Sequence, residues 1–130
     1  MYKNFDEWNI LKKKIDEQEE SLTNFPKAGE VWMISMGENI GFEQNGSNQD
    51  FSRPVLVIRK FNNHMFWSVP LTTKQKNIDF YFNYTDLENR KVSLILAQMK
   101  LTSVKRFKRK LYNLDLSLFD QVRSILKSFI

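Results

Sequence analysis

The chain has 130 residues, of which 42% are hydrophobic and 14% aromatic, a length that suits one domain and a composition that excludes a wholly disordered chain. It has no cysteine and one histidine, which excludes a disulfide scaffold, a cysteine-zinc site, a thiol nucleophile and a multi-histidine metal site. The net charge is +5 and no run of about 18 apolar residues occurs, so the sequence predicts an intracellular, cytoplasmic protein without a membrane span.

The charge is distributed unevenly along the chain. Residues 1–30 hold five lysines and seven acidic residues, whereas residues 31–130 carry a net charge of +7. Within the second part, residues 100–110 contain six bases and no acid. A basic body favours an anionic partner such as nucleic acid, and a simply solvated surface is the equally weighted alternative.

Residues 4–22 are predicted to form an amphipathic helix. Asn4 can cap its N-terminus together with Glu7, three residues later, and Pro26 follows its end. Its apolar residues recur at helical spacing and are Phe5, Trp8, Leu11, Ile15 and Leu22. We therefore divide the chain into an N-terminal helical extension, residues 1–26, and a body, residues 27–130. The extension is expected to pack on the body or on a second subunit.

From residue 30 onward the pattern changes to short strands. The predicted strands are residues 31–36, 54–60, 65–71, 79–84, 92–96 and, as a short last strand, 110–114. Residues 37–52 predict a long polar loop, and turn residues lie at 62–64 and 88–90. Asp115 is placed to cap a terminal helix over residues 116–130. The absence of βαβ alternation predicts a β-rich α+β fold, either a small antiparallel sheet or a partly open barrel.

The common catalytic sets are missing from the sequence. The four glycines fit no phosphate-binding loop, and His64 is expected at an exposed hairpin tip. Asp86 and Glu88 are expected to form a solvated pair of charges in a turn. What remains is Arg53, whose planar and permanently charged fork suits phosphate, and Thr72, whose hydroxyl can donate to a phosphate oxygen. On these residues alone, a loop-end cation and an edge-strand threonine are the alternatives.

Six short motifs occur in order along residues 27–130. They are residues 29–32 (Gly-Glu-Val-Trp), 41–44 (Gly-Phe-Glu-Gln), 53–58 (Arg-Pro-Val-Leu-Val-Ile), 69–73 (Val-Pro-Leu-Thr-Thr), 93–98 (Ser-Leu-Ile-Leu-Ala-Gln) and 103–106 (Ser-Val-Lys-Arg). Together with the terminal helix, they resemble the MazF/PemK (also Kid-type) family of toxin endoribonucleases. The resemblance implies a small, SH3-like, partly open antiparallel barrel with attached helices, which is usually a homodimer.

The resemblance also implies a function in a type II toxin-antitoxin system. It implies cleavage of single-stranded RNA without metal or cofactor, by attack of a ribose 2′-OH on the adjacent phosphate, and neutralisation by a cognate antitoxin protein. The family's catalytic arginine and threonine correspond to Arg53 and Thr72. The supporting RNA-binding residues are expected to be Glu43, Gln44, Thr73, Gln98, Lys100, Lys105, Arg106, Lys108 and Arg109. Because the pKa of arginine lies above about 12, the group that deprotonates the 2′-OH stays unassigned.

Two departures from the family pattern fall in the predicted loop. Phe42 replaces the usual serine, where it could stack on a base or pack within the loop. Residues 45–52 lengthen the loop, which is therefore expected to cover the RNA groove and to tune base preference. Two other functions stay open. One is a gyrase-poisoning toxin on the same barrel, with its activity in the C-terminal helix, and the other is a non-cleaving RNA-binding or regulatory module.

Overall fold

The computed structural model describes residues 25–35 and 52–130. The predicted helix over residues 4–22 and nearly all of the predicted loop over residues 37–52 lie outside this part of the chain. The same is true of Phe42, Glu43 and Gln44. The sequence-based expectations for these residues therefore stay predictions.

Seven strands precede one helix in the described part of the chain. The strands are β1 (Glu30–Ser35), β2 (Ser52–Lys60), β3 (Met65–Thr72), β4 (Tyr81–Thr85), β5 (Lys91–Ile95), β6 (Lys100–Ser103) and β7 (Phe107–Asn113). The C-terminal helix is Leu116–Ser128, and 3₁₀ turns at Leu96–Gln98 and Val104–Arg106 lie on either side of β6. No helix among the described residues has the length and apolar character that a membrane crossing requires.

The strands form one antiparallel sheet in the order β4-β5-β3-β2-β1-β7. One edge of β3 pairs with β2, and its other edge is shared, because β6 pairs with its first half and β5 with its last two residues. The sheet is not closed, and β4 and β7 are its outer strands. The predicted partly open antiparallel barrel with a C-terminal helix is thus confirmed.

Both faces of the central strands are buried. Leu56 of β2 faces a cluster that the C-terminal helix completes with Phe119 and Val122. Its neighbours Val55 and Val57 face a second cluster on the opposite side of the sheet. Successive side chains of a strand point to opposite faces, so two covered faces require a continuous apolar run rather than alternation. This explains why residues 55–58 are all apolar.

Two of the described strands, β2 and β4, begin at residues other than the predicted ones. β2 begins at Ser52 rather than at residue 54, so Arg53 lies within a strand and Pro54 is its third residue. The strand is longer because β1 supplies partners for these residues, with Ile34 opposite Arg53 and Ser35 opposite Ser52. Strand β4 begins at Tyr81, two residues later than predicted, because the chain turns at residues 79–80.

The basic segment contains strands that the sequence pattern hides. Lys100–Ser103 pairs with the first half of β3, and the last strand begins at Phe107 instead of residue 110. Lysines and arginines occupy exposed or half-buried positions, while Thr102 and Phe107 point inward. Strands with so few apolar residues show no clear alternation. Strand β6 was therefore not predicted, and of β7 only the C-terminal part was.

Two turns are held by side chains that accept backbone N–H groups. Asn62 Oδ1 accepts from the N–H groups of His64 and Met65 at 2.8 and 2.9 Å, which confirms the predicted turn with an exposed His64. In the second turn Asp86 Oδ1 accepts from the N–H groups of Glu88 and Arg90 at 3.0 and 2.9 Å. Its Oδ2 accepts from Nε of Arg90 at 3.0 Å.

The expectation that Asp86 and Glu88 form a solvated pair is wrong for Asp86. Its side chain is only 3% exposed, whereas that of Glu88 is 74% exposed. Burial acts to raise the pKa of Asp86, but the hydrogen bonds from Arg90 and Glu88 outweigh it and hold the pKa below its ordinary value. Asn89 completes the turn with a φ of 63°, a conformation that asparagine tolerates.

We expect Asp86→Ala to lower the free energy of unfolding by about 1–3 kcal/mol, because the N–H groups of Glu88 and Arg90 lose their acceptor. Asp86→Asn, which keeps one oxygen, should cost less. The folded-state pKa is lowered, so the stabilisation is present above the unfolded pKa of about 3.9 and is lost as the pH falls through the folded value. Urea unfolding of the wild type and the Asp86→Asn variant at neutral and acidic pH measures this effect. A stability difference between the two proteins that is equal at both pH values would contradict this account.

Candidate active site

The two predicted catalytic residues lie next to each other. In the β2–β3 ladder Val55 is opposite Pro70, and the same register continued by two residues places Arg53 opposite Thr72. Directly opposed residues in an antiparallel pair project from the same face of the sheet. Thr72 is the last residue of β3, as the sequence predicts.

A backbone contact fixes the guanidinium of Arg53. Its Nη1 donates to the carbonyl oxygen of Leu71, the residue before Thr72, at 3.0 Å. Arg53 is half-buried, and burial lowers its pKa from the ordinary value because desolvation disfavours the charged form. The bond to the Leu71 carbonyl fixes the direction of the planar guanidinium.

Arg53 and Thr72 line an open cleft of about 430 Å³. Thr73, also predicted, lines the same cleft. Thr72 Oγ1 accepts the N–H of Lys74 at 3.2 Å, a bond that uses an oxygen lone pair and leaves its own O–H able to donate.

Three cations that line this cleft were not among the predicted site residues. They are Lys74, Lys76 and Arg90, which join Arg53 in the lining. Among the described lining residues the acidic side chain is Asp86, which is bound to Arg90. Lys74 and Lys76 directly follow the Thr72-Thr73 motif, and this position in the sequence could have indicated that they lie near the site. The cleft is therefore suited to a polyanion.

Some of the predicted residues near the basic segment line a pocket, and the others do not. Gln98, Lys100 and Arg106 line a second pocket of about 210 Å³, whose floor includes Val55 and Pro70. Val55 and Pro70 lie two residues from Arg53 and Thr72 on the same strands, so the second pocket follows the cleft along β2 and β3.

The other predicted bases line neither pocket. Lys108 contacts the residue that precedes Arg53, because its Nζ donates to Oγ of Ser52 at 2.8 Å. Lys105 is half-buried and Arg109 is exposed opposite Met33. Lys110, which was not predicted to bind RNA, forms a 2.9 Å ion pair with Glu30.

A pair of tyrosine hydroxyls borders the cleft. Tyr112 lines it, and its hydroxyl lies 2.6 Å from that of Tyr84. Burial raises the pKa of Tyr84, and the hydrogen bond with Tyr112 raises it further. Burial also raises the pKa of Tyr112. Burial therefore favours the neutral form of both hydroxyls.

The comparison with known proteins begins with a family model. The model described as "PemK-like, MazF-like toxin of type II toxin-antitoxin system" matches residues 27–130. No curated protein matches the sequence.

Solved structures share the fold at low sequence identity. MazF from Deinococcus radiodurans is 20% identical with a TM-score of 0.68, over 82% of this chain and 96% of that one. A mycobacterial endoribonuclease is 14% identical with a TM-score of 0.60, over 83% and 93% of the two chains. A mycobacterial endoribonuclease in complex with its cognate antitoxin is 12% identical with a TM-score of 0.60, over 79% and 92%.

The tyrosine pair predicts an alkaline transition. The raised folded-state pKa values mean that the stabilisation is present below the unfolded pKa of about 10 and is lost as the pH rises through the folded values. We expect two of the four tyrosines to ionise above this ordinary value in the folded protein. Tyrosinate absorbance against pH measures the effect, with the urea-unfolded chain as control. Identical titration curves for the folded and unfolded chains would contradict it.

Proposed function

The chain belongs to the family of PemK-like, MazF-like toxins of type II toxin-antitoxin systems, and on this premise we propose that it is an endoribonuclease. The proposed substrate is single-stranded RNA in the cytoplasm. Cleavage proceeds without metal or cofactor, and the products carry a cyclic phosphate and a 5′-hydroxyl.

The observation that carries the proposal is the arginine beside the threonine in a positively charged cleft. The bond from Arg53 Nη1 to the Leu71 carbonyl holds the guanidinium next to Thr72. Lys74, Lys76 and Arg90 line the same cleft and supply charge for an extended phosphate chain. Preorganised positive charge near a reacting phosphate is usually the largest contribution to such a reaction.

The proposed reaction is a transesterification. The ribose 2′-oxygen forms a bond to phosphorus while its proton passes to solvent water, and the bond from phosphorus to the 5′-oxygen breaks as that oxygen takes a proton from Arg53, which solvent then restores. Arg53 stabilises the negative charge on the non-bridging oxygens and, with a lowered pKa, protonates the leaving oxygen. Thr72 donates a hydrogen bond to a phosphate oxygen and aligns the nucleophile with the leaving group.

The proposed RNA path continues from the cleft into the adjoining pocket. Gln98, Lys100 and Arg106 line that pocket, where an amide and two cations can contact the sugar-phosphate backbone and a base edge. Lys108 lies beside Ser52 at the start of β2 and extends the positive surface. We further propose that the protein is a homodimer and that a cognate antitoxin neutralises it by occupying this path.

The central test uses mixed-sequence RNA in EDTA. We expect wild-type protein to release fragments with 5′-hydroxyl ends and Arg53→Ala to be slower by at least about 10²–10³-fold, as when a preorganised donor is lost. Arg53→Lys keeps the charge but loses the fork, and should stay strongly impaired. Thr72→Val should lose about tenfold, whereas Thr72→Ser should retain activity.

Arg59→Ala is the matched control, because Arg59 lies on the same strand, is exposed and lines neither pocket. It should cleave at the wild-type rate. Intact RNA with folded wild-type protein would overturn the proposal. Growth inhibition that survives Arg53→Ala would favour the gyrase-poisoning alternative instead.

The salt dependence of RNA binding tests the contribution of the basic segment. Each neutralised phosphate adds about −0.7 to the log–log slope of affinity against salt for single strands. The double variant Lys108→Glu/Arg109→Glu should therefore flatten the slope by about 1.4. The control Arg123→Glu/Lys127→Glu has the same change in charge on the C-terminal helix and should keep the wild-type slope. An unchanged slope in the first variant would remove these two residues from the RNA path.

A further inference from the structure

A wide apolar groove lies between the C-terminal helix and the strands beneath it. Its volume is about 870 Å³, and its apolar lining includes Ile58, Met99, Leu126 and the partly exposed Trp67 and Phe129. The exposed fractions of Trp67 and Phe129 are 37% and 47%. The groove shares no lining residue with the cleft of Arg53 or with its adjoining pocket. It is thus a separate surface whose exposed aromatic side chains indicate an occupant.

The border of the groove is strongly basic. Four cations line it, namely Arg59, Lys60, Arg123 and Lys127. The lining residues, all within the described part of the chain, include no Asp or Glu. An occupant should therefore combine an apolar stripe with negative charge.

The chain itself enters the body at the edge of this groove. Ala28 lines the groove, and Pro26 is buried. Phe25 packs against the cluster around Trp32, and Nζ of Lys60 lies 5.8 Å from the centre of its ring. Because Lys60 also lines the groove, the preceding 24 residues are tethered directly beside it.

Those 24 residues have the complementary chemistry. Residues 15–24 contain four acids and no base, so their charge is opposite in sign to that of the four cations of the groove. Residues 4–22 carry the predicted apolar stripe, and a helix of that length would extend about 28 Å. A short tether also gives an effective concentration in the millimolar range, far above that of a free peptide.

We propose that residues 4–22 of this same chain occupy the groove as an amphipathic helix. The apolar stripe contacts Trp67, Leu126 and Phe129, and Glu19, which lies beside the stripe, meets the cations on the border of the groove, while the other acids add negative charge at longer range. The N-terminal extension is then an integral layer of this protein, added outside the segment that matches the toxin family. This proposal does not depend on RNA cleavage.

The test places a single spin label on the full-length protein. The chain has no cysteine, so Ser124→Cys, exposed on the C-terminal helix near Arg123 and Lys127, provides one attachment site. We expect the label to broaden the amide signals of residues 4–22 in isotope-labelled protein. The broadening should vanish with Leu11→Asp, which puts a charge on the stripe. It should persist with Asn9→Asp, an equal change in charge on the predicted opposite face.

A charge exchange provides the second measurement. Arg123→Glu/Lys127→Glu should reduce the broadening, and adding Glu19→Lys/Glu20→Lys to the same chain should restore it.

A mixture of spin-labelled unenriched protein and unlabelled isotope-enriched protein reports only contacts between copies. Broadening confined to the same molecule supports the proposal. Broadening of equal size in the mixture would assign the groove to a second copy, and no broadening in either sample would leave the groove to another partner. Both of these results overturn the proposal.

Discussion

The structure depends on a strand that is buried on both of its faces. Leu56 belongs to the cluster under the C-terminal helix, while Val55 and Val57 belong to the cluster on the other side. A shift of one residue in register would exchange these faces and send each side chain into the wrong cluster. The hydrophobic effect therefore fixes the alignment of β2 with β1 and β3. Because Arg53 and Thr72 are two residues away from the paired Val55 and Pro70, the same alignment sets the geometry of the cleft.

The cleft holds a fixed positive charge without the full desolvation cost of a buried one. Its arginine is half-buried, which strengthens electrostatic interactions, yet it is bonded to a main-chain carbonyl and opens to solvent on one side. Asp86, the carboxylate among the described lining residues, has its oxygens bonded to Arg90 and to two backbone N–H groups. Because Arg90 also pairs with Glu88 at 3.2 Å, its charge is largely compensated, and Lys74 and Lys76 contribute more to the positive potential of the cleft.

Much of the fold could be predicted because periodicity and burial agree in the apolar elements. The run at residues 54–60 and the helical spacing from Leu118 to Phe129 each allow one interpretation. The strand of Lys100–Ser103 could not be predicted, because its stability comes from pairing with β3 rather than from its own composition. Asp86 was misjudged for a related reason. Its charge suggests exposure, but three hydrogen bonds from its own turn offset the cost of burial.

The residues of the candidate site also divide into those that could be predicted from the sequence and those that could not. Arg53 and Thr72 were predicted as site residues because their motifs resemble those of a known family, and the structure places both in the lining of one cleft. Lys74, Lys76 and Arg90 come from the segments that flank β4 and β5, and only the folded chain brings them to one cleft. Single-residue chemistry gave no reason to separate them from other surface cations.

The hydroxyl pair of Tyr84 and Tyr112 has a mechanical meaning in this open sheet. Tyr84 belongs to β4 and Tyr112 to β7, which are the first and last strands in the sheet order. Their 2.6 Å contact thus acts as a clasp across the seam of the barrel. Neighbouring strands in the described sheet are joined by ladders of main-chain hydrogen bonds, whereas the hydrogen bond described between β4 and β7 joins two side chains. Since Tyr112 also lines the cleft, the seam of the barrel runs along a wall of this cleft.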